Sequence, residues 1–265
     1  MSEPGPTPIF DTLRAALRAD EPVGLATVVD GPHLGAKLLV RPGAVAIGSL
    51  GDPDLDRVVA RDALGELEAG LTSTRHYGPH GEAREHEVAV FIESFAPPPR
   101  MIIFGAVDFT AALARLAKLL GYHVTVCDAR AVFATRARFP MADEVVNDWP
   151  DRYLAKVGDR LGSRDAVCVL THDHKFDVPA ITAASATTVG YLGAMGSRRT
   201  HEARVERLRE AGMSDEQLAR VMSPIGLDLG GRTPEETAVS ICAEIIAQRT
   251  GHHTASLRDG RGAIH

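Results

Sequence analysis

The sequence predicts an α/β protein in two parts: a small N-terminal α/β domain, then a larger domain built on a buried parallel sheet. Three observations lead there. The short apolar runs at 101–104, 166–170 and 188–192 are of the kind that a parallel sheet buries on both faces. The last two empty into polar loops, where an open α/β sheet places its ligands. Pro97, Pro98 and Pro99 offer no amide hydrogens to a ladder and favour an extended conformer, so residues 97–100 are expected to be a linker. The domains are therefore expected at 1–96 and 101–250, with a flexible tail at 251–265.

In the first part, Ile9, Leu13, Ala16 and Leu17 recur at helical spacing and predict a helix over 8–19. Residues 23–29 and 36–40 are β-rich and separated by a turn on Asp30, Gly31 and Pro32. A strand is expected at 44–50. Leu55, Val58, Val59, Leu64 and Leu67 then mark a helix that ends near Gly70. Residues 71–77 and 87–95 predict a hairpin.

The second part opens with a strand at 101–104, a turn at Gly105, and a helix with Phe109, Leu113, Leu116 and Leu120 along one face. Gly121 caps that helix. The next strand, 123–126, ends at Asp128, which follows Gly105 by 23 residues. That is near the distance from a glycine loop to a ribose-binding acid, so the architecture reads as Rossmann-like. The glycine fingerprint is broken, however. Val107 stands where a backbone must approach a pyrophosphate, and Asp108 adds a negative charge. Both disfavour NAD(P). Thr233, Pro234 and Glu236 form a capping box with proline at the first helical position, and the helix behind it buries Ala238, Ile241, Cys242, Ile245 and Ile246. Before it lies a glycine-rich loop at 223–231.

A net charge of −6 argues against a nucleic-acid or anionic-membrane partner, and no apolar run reaches the length of a membrane helix. Residues 1–10 lack the basic and apolar regions of a signal peptide, so a cytoplasmic protein is expected. Cys127, Cys168 and Cys242 lie far apart on apolar runs and an apolar helix face, which fits buried free thiols.

Two loops carry the candidate chemistry. His172, Asp173, His174 and Asp177 bring imidazole and carboxylate together at a spacing suited to a divalent ion. In an extended segment the two histidines would project to the same side. The same residues also serve as helix caps and loop hydrogen-bond partners. Gly196, Ser197, Arg198 and Arg199 open a helix, where free amides favour an anion and arginines add bidentate recognition. The alternative is a solvated basic face continued by Arg204, Arg207 and Arg209.

Residues 139–145, 171–174, 193–199 and 224–230, with the Thr233–Glu236 cap behind them, resemble in one order the XdhC/CoxI family of molybdenum hydroxylase maturation factors. In the first domain 35–40 and 48–51 resemble the family's amino-terminal part. The resemblance implies a chaperone, not a turnover enzyme. It would bind the molybdenum cofactor (molybdopterin) as cargo, assist its sulfuration with a cysteine desulfurase, and deliver it to an apo-molybdenum hydroxylase. A homodimer is expected. The cofactor-binding set so implied is Gly105, Asp128, His172, Asp173, His174, Gly193, Gly196, Ser197, Arg198, Arg199 and Gly226, with His172 and His174 as candidate metal ligands and no catalytic residue. Two departures stand out. Where the family continues Gly-Gly-Cys-Leu-Glu, this chain has Gly51-Asp52-Pro53-Asp54-Leu55, and no cysteine lies in the first domain. Where the family has Gly-Ala-Gly-His, this chain has Gly105-Ala106-Val107-Asp108. The alternatives are an NAD(P)-dependent oxidoreductase on the same sheet, which the altered glycine loop disfavours, and a scaffold or regulatory protein that has lost its ligand, which fits both departures.

Overall fold

The structure, a computed structural model, describes residues 8–83, 85–171, 173–252 and 254. The expected tail from 255 onward lies outside the described residues. The chain divides into two compact units, Met1–Pro97 and Pro98–His265.

The first unit starts with α1 (Pro8–Arg18) and then β1 (Val23–Asp30), β2 (Lys37–Val40) and β3 (Ile47–Ser49). Helix α2 (Pro53–Ala69) and strands β4 (Ser73–Tyr77) and β5 (Val88–Phe95) complete it. The strands form an antiparallel sheet in the order β3-β2-β1-β5-β4. Period-two alternation sorts its faces: Val23, Leu25 and Leu39 pack with Ala16 of α1, whereas Ala26, Val28, Leu38 and Val40 pack with Leu55, Val59 and Ala63 of α2. Asp52 caps α2 by accepting from the amides of Asp54 and Leu55 at 2.9 and 3.0 Å. The strand expected at 44–50 is only Ile47–Ser49. Val45 is 90% exposed, so apolar character there did not recruit a partner strand.

The second unit contains β6 (Arg100–Phe104), α3 (Asp108–Leu119), β7 (His123–Cys127), β8 (Glu144–Val146) and α4 (Pro150–Val157). It continues with β9 (Ala166–Val169), α5 (His174–Ser185), β10 (Tyr191–Ala194), α6 (Arg198–Glu210), α7 (Asp215–Ala219), β11 (Val221–Met222) and α8 (Pro234–Thr250). The sheet is parallel throughout, in the order β11-β10-β9-β6-β7-β8. This is the doubly wound arrangement of a Rossmann domain, with its switch between β6 and β9. Successive residues of β6 go to opposite faces. Met101 and Ile103 join the cluster with α3 and α8, while Ile102 and Phe104 join that with α4 and α5. The strand expected at 188–192 lies two to three residues later. Its first residues are tied to the preceding loop instead, with Thr188 Oγ1 donating to Leu161 O and Gly190 N to Gly162 O. Among the described residues no helix is long and apolar enough to cross a membrane.

Candidate functional site

The turn after β6 is closed by the protein's own groups. Gly105 has φ +106°, and a Cβ there would lie 2.9 Å from Thr171 N, so only glycine lets the β6 and β9 ends approach this closely. Its amide donates to Cys127 O at 3.0 Å, and the Ala106 amide to Asp128 Oδ2 at 2.8 Å. The buried Thr110 hydroxyl donates to Gly105 O, and Val107 N reaches Thr110 Oγ1 at 3.4 Å. Val107 is the N-cap of α3 and has no side-chain acceptor to offer. The exposed Asp108 carboxylate is 3.7 Å from the Arg138 guanidinium.

Asp128, expected to read a ribose, is engaged inside the protein. Arg130 donates to it from its backbone amide, Nε and Nη2 at 2.9, 2.9 and 2.7 Å. Burial pushes the Asp128 carboxyl up, but the Arg130 guanidinium and the amides of Ala106 and Arg130 outweigh it and hold the carboxyl below its ordinary value. The Arg130 guanidinium in turn lies 4.6 Å from the Phe133 ring centroid and 5.8 Å from that of Phe176. Phe176 stacks on Trp149 at 4.9 Å and 27°.

On the other side of the switch, β9 runs through buried Thr171 into α5. Asp173 caps that helix, its side chain accepting from Lys175 N at 3.0 Å. The expected loop at 171–177 is thus half helix, and His174 is the first helical residue with an exposed imidazole 3.8 Å from the Asp173 carboxylate. His172 lies outside the described residues, so its side of the expected metal pair does too. No group of three metal-ligating side chains gathers among the described residues. An open cleft of about 520 Å³ spans the switch, lined by Val107, Arg130, Thr171, Asp173 and His174.

The remaining expected residues gather at the end of β10. Ser197 caps α6, accepting from Thr200 N at 3.1 Å. Arg198 and Arg199 follow, both exposed, with no side-chain hydrogen bond or ion pair among the described residues. Gly196 has φ +150° and sits beside Thr200 and Arg204. The space at Gly193 and Gly226 is filled by protein: a Cβ would meet Ile225 Cδ1 at 2.5 Å in the first case and Ser240 Oγ at 2.5 Å in the second. Glu244 pins the 223–231 loop by accepting from Gly226 N at 2.9 Å and from the Tyr191 hydroxyl. Arg204, which the alternative reading placed on a solvated basic face, is buried. It donates to Asp177 Oδ2, Met195 O and Ser223 Oγ at 2.9, 2.7 and 3.1 Å, tying α6 to α5 and to two loops.

The geometry therefore brings Asp173 and His174 to the open cleft, puts Gly105 and Asp128 on a small adjoining cavity that shares Thr171 with it, and sets Gly196–Arg199 at a neighbouring strand end. Arg130, Phe133, Trp149 and Phe176 escaped the sequence reading. The close spacing of Asp128 and Arg130 was the available signal. The three cysteines are buried and free. Burial pushes the Cys127 thiol up to about 12 and Cys242 to about 11, and raises Cys168 well above the ordinary value.

Comparison with known proteins matches residues 101–245 to the XdhC Rossmann domain family and residues 16–78 to the XdhC and CoxI family. A protein of Bacillus subtilis (strain 168) named as a probable xanthine dehydrogenase subunit is 34% identical over 160 residues, 60% of this chain and 46% of that protein. The molybdenum cofactor insertion chaperone PaoD of Escherichia coli (strain K12) is 30% identical over 159 residues, 60% of this chain and 43% of that protein. Uncharacterized protein YqeB of the same organism is 28% identical over 236 residues, 85% of this chain and 43% of that protein. This chain thus spans less than half the length of these curated relatives. A solved chain described as a xanthine dehydrogenase from Bacillus halodurans superposes with a TM-score of 0.52, covering 93% of this chain and 97% of that one. At 20% identity this is a likeness of fold.

Proposed function

This chain belongs to the XdhC and CoxI family, and from that membership we propose that it carries the molybdenum cofactor as cargo to an apo-molybdenum hydroxylase of the xanthine dehydrogenase type. The observation that carries the reading is the pair Arg198 and Arg199 at the N-terminus of α6, whose side chains have no partner among the described residues. A pterin cofactor ends in a phosphate or nucleotide, and a helix start with two exposed guanidinium groups suits that end. The polar edge of the cargo then falls to Asp173 and His174. Thiolate ligation of molybdenum is disfavoured, since the first unit has no cysteine and the thiols of the second are buried. The grip therefore falls on the phosphate and the ring system. The same reading gives the protein a cysteine desulfurase as sulfur donor, a homodimeric working form and a cytoplasmic site of action.

A nicotinamide dinucleotide is opposed by the first loop, where the Ala106 amide and the Asp128 carboxylate satisfy each other. Co-expression with a complete cofactor pathway, followed by metal and pterin analysis of the purified protein, tests the proposal. Molybdenum and pterin are expected together. The loaded protein should activate at most about one equivalent of apoenzyme, since a carrier does not turn over. Absence of both molybdenum and pterin would sink the carrier reading in favour of a scaffold that has lost its ligand, with which the missing first-unit cysteine is consistent.

A further inference from the structure

A dinucleotide-binding sheet uses the acid at the end of its second strand to read ribose hydroxyl groups. In this chain that acid is occupied by a neighbour two residues on, and the manner of occupation has a chemical consequence. A guanidinium presents two planar forks of donors, one side-on from Nε and one Nη, the other end-on from the two Nη atoms. Arg130 gives the side-on fork to Asp128, with Nε on Oδ1 and Nη2 on Oδ2. No hydrogen bond from Arg130 Nη1 is found among the described residues, so the end-on fork is left open. The Asp128 side chain is 4% exposed and that of Arg130 42%, so the pair is anchored at one end and open at the other. Phe133 and Phe176, both within 6 Å of the guanidinium, restrict its plane.

Arg130 lines the switch-point cleft together with Thr171 and His174. Thr171 Oγ1 accepts from Asp173 N at 3.2 Å, which leaves its hydroxyl hydrogen to donate elsewhere. The His174 imidazole is a further donor. Asp173 also lines the cleft, and its carboxylate is drawn toward the start of α5 by the Lys175 amide.

We propose that the Asp128–Arg130 pair converts the ribose-reading position into an anion-reading one. The end-on fork of Arg130 holds a phosphoryl group of a ligand lying in the switch-point cleft. A phosphoryl group, with three peripheral oxygens, matches a bidentate fork plus a hydroxyl or imidazole donor better than a planar carboxylate does. This site is separate from the Arg198–Arg199 helix start and does not depend on the cargo being a molybdenum cofactor.

The protein carries its own probe. Trp149 is the single tryptophan of the chain, and it stacks on Phe176, one of the two rings beside Arg130. Titrating the full chain with inorganic pyrophosphate should change Trp149 fluorescence in a saturable way. Arg130→Gln should raise the half-saturation concentration at least about tenfold, the scale of a charge-assisted bidentate contact. Arg130→Lys, which keeps the charge opposite Asp128 and loses the fork, should also weaken binding and carries the test if the glutamine variant fails to fold. No response in the parent would overturn the proposal, as would equal half-saturation in the parent and the lysine variant. Loss of the response in Arg198→Ala/Arg199→Ala with Arg130 intact would place the anion at α6 and also overturn it. Pyrophosphate binding through Arg130 in a protein that never loads a molybdenum cofactor would uphold the site while sinking the cargo reading.

Discussion

Arg204 Nη2 lies 2.9 Å from Asp177 Oδ2, and the two side chains are 3% and 4% exposed. The pair joins α5 to α6, and the same guanidinium reaches Met195 O and Ser223 Oγ. The start of α5, the loop after β10 and the 223–231 loop therefore share one anchor. A charge removed from such a place leaves its partner uncompensated in a low-dielectric interior.

Replacing Arg204 by alanine should accordingly lower the stability of the second unit by about 3–5 kcal/mol. The double variant Arg204→Met/Asp177→Leu should lose much less, because it strands no charge. Urea unfolding followed by circular dichroism measures both. A double variant as unstable as the single one would assign the cost to the Met195 and Ser223 contacts.

Asp128 should give the fold an acid-side pH dependence. Folding holds its carboxyl below the ordinary 3.8, so between the two values the unfolded chain binds the extra proton and stability rises with pH. The contribution is complete above about pH 4–5 and is lost as pH falls through the lowered folded value. In Asp128→Asn that part of the slope should disappear, and neutral-pH stability should drop by about 1–3 kcal/mol through the weakened Arg130 contact. Unfolding curves from about pH 2 to 7 in both proteins provide the comparison, and superimposable pH slopes would contradict it.

Arg198→Ala and Arg199→Ala should each weaken cofactor retention by about 1.5–3 kcal/mol while leaving the melting temperature unchanged, since both side chains are exposed. Equal retention in the double variant and the parent would make this arginine pair a solvated helix face.

NAD(H) and NADP(H) should bind no tighter than about millimolar, roughly −4 kcal/mol, because the turn amides of Gly105 and Ala106 are already satisfied. Isothermal calorimetry that returned a low-micromolar constant for either would revive the oxidoreductase reading.

Local signals were the legible part of this chain. The Thr233 cap is written in four adjacent residues and forms as expected, with Glu236 N on Thr233 Oγ1 at 3.1 Å. The strands at β6 and β9 were equally plain, because continuous apolarity flanked by glycine or polar residues has few other uses. Less legible were segments whose fate depends on distant partners. Arg204 looked like one more basic residue on a helix, and its burial rests on partners elsewhere in the chain, Asp177 27 residues earlier among them. Trp149, Phe176 and Arg130 come from three different strand ends, so no window of sequence contains the cluster they form.

The distribution of cysteines has a use in the test tube. All three thiols belong to the second unit and are buried, with Cys168 on the central strand β9 fully enclosed. A thiol-reactive dye added to the native protein therefore labels positions in the second unit alone, on β7, β9 and α8, and records openings of those elements. Run at low denaturant, the labelling rate of Cys168 becomes a clock for that unit alone. Whole-chain spectroscopy then supplies the first unit's stability by difference.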